Sequence, residues 1–302
     1  MTSRRRFLAI SAAAIAVPGA VRARPVYTWT GIALGAGAAI RLAHDDAPAI
    51  TARAAAEIDR LEDVFSLYRG NSALSRLNRE GALAAPPFEL LKCLSLAGAV
   101  HRATDGLFDP TVQPLWAAWA TAAAQGQRPD AAALSRAQAL TGWAGVSLDA
   151  AAIALRPGMA LTLNGIAQGY VADRVAGLLA AEGLDDILID TGEFHALGQQ
   201  PQGGAWPVRL AQGGEVGLTS RALATSAPLG TVFDAAGTLG HILDPKTGLT
   251  AAPRWRGISI SANSAALADG LSTAACLMDS RAAIEASLAV FPGSRLDSAV
   301  AA

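Results

Sequence analysis

A chain of 302 residues with 24 Lys and Arg against 25 Asp and Glu has a formal net charge of -1. With no basic stripe after its first residues, it offers no field for nucleic acid, and DNA or RNA binding is excluded as a function class. Its length lies near the roughly 250–300 residues at which one core stops growing, so one or two lobes remain open.

The chain begins with Ser3-Arg4-Arg5-Arg6-Phe7-Leu8 followed by a short apolar run over residues 9–17. This is a signal-peptide pattern, too short for the roughly 20 residues of a spanning helix, with small residues at Val21 and Ala23 that predict cleavage after Ala23. The paired arginines before Phe-Leu resemble a twin-arginine export signal, which engages the twin-arginine machinery and delivers folded proteins. The expectation is a signal peptide over residues 1–23 and a soluble, periplasmic domain over residues 24–302.

Over residues 31–42, Ile32, Leu34, Ile40 and Leu42 share one alternation parity, which predicts a half-buried strand. Ile50, Ala54, Ile58, Leu61 and Phe65 then recur at steps of three and four, a helical stripe with Asp45 or Asp46 as its cap. A break at Gly70-Asn71 precedes a short amphipathic segment at 72–78, and Pro86-Pro87 opens a helix to about Thr104. The turn Asp105-Gly106-Leu107-Phe108-Asp109-Pro110 ends it, because Gly frees the backbone and Pro110 disfavours helix at Asp109. A helix with Trp116 and Trp119 and an alanine-rich helix over about 129–140 follow.

The second half predicts strands at 146–148, 153–155 and 161–163, a helix over 166–182 closed by Gly183, and a buried strand at 187–189. Further strands are expected at 206–210, 216–218, 223–226, 241–243 and 258–261, before Ser264 caps a helix to about Met278. Strands grouped together, with helices at the ends, favour an α+β fold. Cys93 and Cys276 lie in stretches that read as separate helices, as core residues; an exported protein permits a bridge between them, but the sequence does not set its geometry.

Four segments carry chemistry. They are Phe65-Ser66-Leu67-Tyr68 with Ser72-Ala73-Leu74-Ser75-Arg76-Leu77-Asn78; Gly106-Leu107-Phe108-Asp109-Pro110; Leu163-Asn164-Gly165-Ile166-Ala167-Gln168-Gly169-Tyr170-Val171-Ala172-Asp173; and a last group. That group comprises Ala224-Thr225-Ser226, His241-Ile242-Leu243-Asp244-Pro245 and Ala268-Asp269-Gly270-Leu271-Ser272-Thr273. Asp269 and Thr273, four apart in a predicted helix, project oxygens from one face toward one hard cation; the alternative is a first-turn charge beside a filler residue. Residues 165–169 join a predicted strand to a helix, where free N–H groups suit an anion.

In this order and spacing the segments resemble the ApbE family, the FAD:protein FMN transferases, over about residues 30–278. The export signal and local departures further resemble the branch associated with nitrous oxide reductase maturation. The resemblance implies an α+β fold with a mixed or antiparallel sheet, flanking helices and two lobes around a flavin cleft. It implies FAD as substrate, Mg2+ as metal with Mn2+ or Ca2+ as alternatives, and an acceptor flavoprotein carrying a target Thr or Ser. It places metal ligands at the Gly165 carbonyl, Asp269 and Thr273, and FAD contacts at Tyr68, Leu107, Phe108, Asp109, Thr162, Gln168 and Ile242. Catalytic roles fall on His241, which assists proton movement or binds phosphate, and on Asp269.

This chain departs from the family at Thr162, usually acidic, at Gln168, usually lysine, at Glu193, usually Asp or Asn, and at Ala227, usually glycine. The rival readings are a non-catalytic periplasmic FAD-binding protein and a metal-dependent FAD pyrophosphatase. A hydrolase built on Ser226, His241 and Asp244 lacks the Gly-x-Ser-x-Gly turn such a nucleophile needs.

Overall fold

The apolar stretch at 31–42 folds as part of a hairpin, not as one strand: β1 (Tyr27–Ala33) and β2 (Ala36–Leu42) pair antiparallel across Leu34 and Gly35. Both turn residues have positive φ, 49° and 84°, as a two-residue hairpin turn requires. Leu34 tolerates it because its amide donates to Glu62 Oε1 at 2.9 Å, pinning the turn to the next helix. The protein is described by a computed structural model over residues 24–302, so the signal-peptide reading of residues 1–23 lies outside the described residues.

Helix α1 (Ala47–Phe65) buries the whole predicted stripe, Ile50, Ala54, Ile58, Leu61 and Phe65. Asp46 stands at its N-cap without a side-chain bond. Helix α2 (Ala73–Glu80) is capped by the Ser72 hydroxyl and closed by Gly81, and leads into β3 (Ala82–Ala84) and α3 (Phe88–Ala103). Helices α4 (Gln113–Ala123) and α5 (Ala131–Ala139) follow the turn, then the short strands β4 (Val146–Leu148) and β5 (Ala152–Leu155).

The expected strand at 161–163 is an irregular segment: Leu161 exchanges both backbone bonds with the side-chain amide of Asn78, at 2.7 and 2.8 Å. Those groups therefore need no neighbouring strand. Next come α6 (Ala167–Ala181), β6 (Ile187–Asp190), β7 (Phe194–Leu197), β8 (Trp206–Arg209), β9 (Glu215–Leu218) and β10 (Arg221–Ser226). The chain ends with β11 (Trp255–Ala262), α7 (Ala265–Ala275), α8 (Arg281–Leu288) and β12 (Arg295–Ala301). The expected strand at 241–243 reduces to an isolated bridge between Leu243 and Thr250. Strands β3, β7 and β12 and helix α8 were not legible in the sequence pattern.

The main sheet has the order β1-β2-β6-β7-β10-β11-β12, with every neighbouring pair antiparallel. Strand β2 pairs with β6, so the N-terminal hairpin extends a sheet whose other strands come from the second half. Helices α6 and α7 pack against each other, and α7 covers β10 and β11. Ile187, Ile189, Ala222 and Ala224 enter that core, whereas Leu188 and Leu223 point to the opposite face, under Trp206, Val208 and Leu218. Burial of both faces is why residues 187–189 read as a continuous apolar run. A third cluster, with Leu115, Trp119, Ala137 and Leu243, ties α4 and α5 to the loop after β10, where Trp119 Nε1 donates to Gly248 O at 2.9 Å.

The α+β expectation, an antiparallel sheet flanked by helices, is met. Cys93 and Cys276 are both buried and unpaired. Among the described residues no helix is long and apolar enough to cross a membrane.

Candidate active site

The site is built on the crossing of α6 and α7. A Cβ on Gly169 would press into the backbone of Ala265 and lie 2.6 Å from Ala266 N, so only glycine permits this approach. Asp173, one turn further along α6, fixes the crossing by accepting from Ser264 Oγ (2.6 Å), Ala265 N (2.7 Å) and Ala266 N (3.0 Å), with His195 Nδ1 at 2.7 Å. It thereby caps the start of α7 from another helix, alongside the local Ser264 cap.

Asp269 follows on the first turns of α7, 3% exposed, with its Oδ2 accepting from Gly169 N at 3.3 Å. Thr273 lies one turn on, so close to Gly165 that a Cβ there would be 2.8 Å from Thr273 Oγ1. The three residues expected to hold a cation are thus brought together at one wall. Ser226, at the end of β10, reaches the same wall through its hydroxyl, 2.7 Å from Ser272 Oγ and 3.4 Å from Thr273 Oγ1.

Burial pushes the Asp269 carboxyl up to about 8, with the Asp173 charge adding to the rise and the Gly169 N–H opposing it. Glu193, 8% exposed, is raised well above the usual range by burial and then by the Asp269 charge. Buried carboxylates, hydroxyls and a close-lying backbone form an all-oxygen donor set. They fit a hard cation such as Mg2+, not a thiolate- or imidazole-seeking one. No group of three or more His, Cys, Asp or Glu side chains gathers as a metal cluster among the described residues.

This wall borders a cleft of about 320 Å3 that is also lined by Leu107, Phe108, Asp109, Thr162, Gln168, His241 and Ile242. The turn before it needs positive φ at Asp105 and Gly106, 49° and 77°. Asp109 Oδ1 then accepts from Thr111 N and Oγ1, at 2.8 and 2.6 Å, which caps the short 3-10 turn Pro110–Val112. Thr162 N donates to Pro110 O at 2.8 Å, joining two sequence-distant motifs in one wall. Gln168 lies against Gly192, where a Cβ would sit 2.6 Å from its Nε2. The start of α6 offers fewer free donors than its sequence predicts, because Ala167 N already bonds Leu163 O and Gly169 N bonds Asp269.

Tyr68 is the exception: it is 83% exposed, beside Gly35 of the hairpin turn, and does not line the cleft. Residues that the sequence reading did not assign to the site include Asn164, Trp116 and Thr231. Their neighbours in the chain gave no signal beyond adjacency to named motifs. Among the described residues lining the cleft, Asp109, Glu193 and Asp269 are acidic and none is Lys or Arg.

His241 Nδ1 faces Thr231 O at 3.1 Å, a geometry in which Nδ1–H donates and Nε2 is left as the basic nitrogen. Burial lowers its pKa, and the carbonyls of Thr231 and Pro228 offset part of that. The hydrolase reading finds no relay. Ser226 bonds Ser272 and Thr273, His241 bonds Thr231, and Asp244 Oδ1 accepts from Lys246 N at 2.8 Å.

Residues 34–289 match the profile of the ApbE family. An FAD:protein FMN transferase of Klebsiella pneumoniae is 30% identical over 236 residues, covering 74% of this chain and 73% of its own. One of Haemophilus influenzae is 27% identical over 249 residues, covering 74% and 72%. Among solved structures, the apo flavinyl transferase ApbE of Pseudomonas stutzeri is 25% identical with a TM-score of 0.79, covering 92% of this chain and 94% of that one. The ApbE protein of Thermotoga maritima is 26% identical with a TM-score of 0.80, covering 90% and 93%. On a profile that spans most of the chain, and on relatives and structures that agree with it, the chain belongs to the ApbE family.

Proposed function

We propose that this protein is an FAD:protein FMN transferase that moves the FMN part of FAD onto a Thr or Ser hydroxyl of an acceptor flavoprotein and releases AMP. The observation that carries this reading is that His241 lines the same cleft as Gly165, Asp269 and Thr273. Relatives named as FAD:protein FMN transferases support it.

Asp269, Thr273 and the Gly165 carbonyl would hold Mg2+. When bound, the ion supplies electrostatic stabilisation to a diphosphate, leaving room for phosphate and water oxygens in its shell. The chain's own groups do the rest. Thr162, Asn164 and Gln168 offer neutral donors to the phosphates, while Leu107, Phe108 and Ile242 wall the ring system away from water. His241 Nε2 accepts the proton of the acceptor hydroxyl as its oxygen bonds to the FMN phosphorus; the bond from that phosphorus to the bridging oxygen breaks, and AMP leaves with that oxygen. No electron transfer to or from the flavin is involved.

Incubating the protein with FAD, Mg2+ and candidate flavoproteins, then resolving nucleotides and acceptor, tests the proposal. AMP with covalently fluorescent acceptor is the expected result. Free FMN without labelled acceptor makes it a pyrophosphatase, and bound, unchanged FAD makes it a carrier, the reading favoured by the neutral Thr162 and Gln168.

Export through the twin-arginine route to the periplasm rests on residues 3–8 alone. Fractionation of cells with and without that pathway tests it: a signal that still reaches the periplasm in pathway-deficient cells overturns it.

A further inference from the structure

Glu193 has no role in the mechanism above, yet it is a buried carboxylate in its cleft. It stands in the turn between β6 and β7, with Oε2 accepting from Thr225 N at 3.0 Å and Oε1 without a hydrogen-bond partner among the described residues. Thr225 belongs to the end of β10, and the next residue, Ser226, approaches Thr273. Two consecutive residues of one strand therefore hold Glu193 and the Thr273 wall in a fixed relation. Glu193 and Asp269, both buried, line the same cleft.

The lining around this pair carries no Lys or Arg among the described residues. Gln168, against Gly192 next to Glu193, contributes a neutral amide. Two buried carboxyl groups lining one cleft without a fixed cation disfavour each other's ionisation in a low-dielectric site, and one divalent ion offsets both charges. A hard cation that has a single carboxylate ligand usually comes with its phosphate-bearing substrate, whereas added carboxylate charge raises affinity for the bare ion.

We infer that Glu193 is a further ligand to the cation held by Gly165, Asp269 and Thr273, and that it makes this ion resident in the protein before FAD binds. The inference rests on the cation reading given above. It assigns to Glu193 the work of loading the site, and to the neutral side chains of Thr162, Asn164 and Gln168 the work of receiving the diphosphate afterwards.

The test uses Mn2+ as the probe, with free ion read by its electron paramagnetic resonance signal. The full chain and its Glu193→Gln and Asp269→Asn variants are each titrated with and without FAD. Glu193→Gln retains an acceptor for Thr225 N, so it leaves the loop bond in place. The parent is expected to bind Mn2+ without FAD, and Glu193→Gln to bind it about tenfold or more weakly unless FAD is present. Equal Mn2+ affinity of parent and Glu193→Gln in the absence of FAD overturns the inference and leaves Glu193 as a structural acceptor. So does a parent that takes up Mn2+ only with FAD, a result that needs no variant to fold. If Asp269→Asn also binds Mn2+ like the parent, the cation reading itself fails, which is a different outcome from failure of Glu193 alone.

Discussion

Gly169→Ala sets two effects of opposite sign against each other at the helix crossing. In an exposed helix the change gains about 1 kcal/mol in helix propensity. Here the new Cβ meets the backbone of Ala265 and Ala266, with Ala266 N at 2.6 Å, where ordinary contacts begin near 3.4 Å. No rotamer relieves a clash between Cβ and backbone, so α6 and α7 must separate by most of an ångström. Overpacking of this kind costs about 1–3 kcal/mol, and more where the neighbour cannot yield. The neighbour cannot yield easily, because Asp173 grips Ala265 N and Ala266 N. Taking about 3 kcal/mol for the clash leaves a net loss of about 2 kcal/mol, or a fall in Tm of about 4–8 °C for a chain of this size. The separation also lengthens the Gly169 N to Asp269 Oδ2 bond, already 3.3 Å, so Mn2+ affinity is expected to fall with the Tm. Thermal unfolding followed by circular dichroism, beside the Mn2+ titration, measures both. A variant that melts at or above the parent temperature refutes the argument, because it shows propensity winning over contact.

Asp173→Ala leaves two backbone donors of α7 and the Ser264 hydroxyl without their acceptor; at about 1–3 kcal/mol for each buried donor stranded, the loss is expected near 3 kcal/mol, seen as a lower denaturant midpoint at unchanged slope. His241→Ala is expected to slow transfer by about 10²–10⁴ while Mn2+ binding stays at the parent value, and loss of both together argues against a proton-transfer role. For the parent, burial lowers the His241 pKa from its ordinary 6.5, so the acid limb of the rate profile falls below pH 6.5. The same shift gives stability that is present above 6.5 and lost as pH falls through the depressed value; an acid limb above 6.5 contradicts it. Asp269→Asn is expected to lose Mn2+ and, in chelator at pH 8, to melt above the parent. Its carboxyl is raised from 3.8 to about 8, so the stability it contributes is full below 3.8 and lost as pH rises through about 8; a lower melting point in chelator counts against that sign.

Much of the fold was legible where local chemistry and tertiary need agree. The α1 stripe, the Ser264 cap and the turn through Gly106 each carry a local signal that the core then uses. The misreadings lie where a distant group satisfies the backbone. Leu161 and Leu163 alternate as in a strand, yet the partner of Leu161 is an amide side chain 83 residues away in sequence. His241 donates its N–H to Thr231 O and Ile242 O accepts from Ala251 N, so the bonds around residues 241–243 stay within one loop. The positive φ of Leu34 has no local advertisement, since its stabilising bond comes from Glu62. Strand β12 hid for another reason: it is an edge strand, irregularly registered on β11 and half-buried along most of its length, so no alternation marks it.

The site shows the same division at the scale of single residues. Helical spacing alone puts Asp269 and Thr273 on one face, but nothing local brings Gly165 against Thr273 across two helices. Gly169 does that, and in the sequence it looks like part of a phosphate loop, because both tasks ask for the absence of a side chain. The structure separates them: the amide of Gly169 is spent on Asp269, and its missing Cβ is filled by the Ala265 backbone. Asp173, at the end of the same motif, likewise serves the helix crossing and not a ligand. A motif can therefore be read correctly as belonging to the site while half of its residues act by positioning the other half. Tyr68, standing outside the cleft beside the hairpin turn, is the reverse case: a side chain named for contact whose position depends on a loop held by Arg69 to Asp59, Glu62 and Asp63.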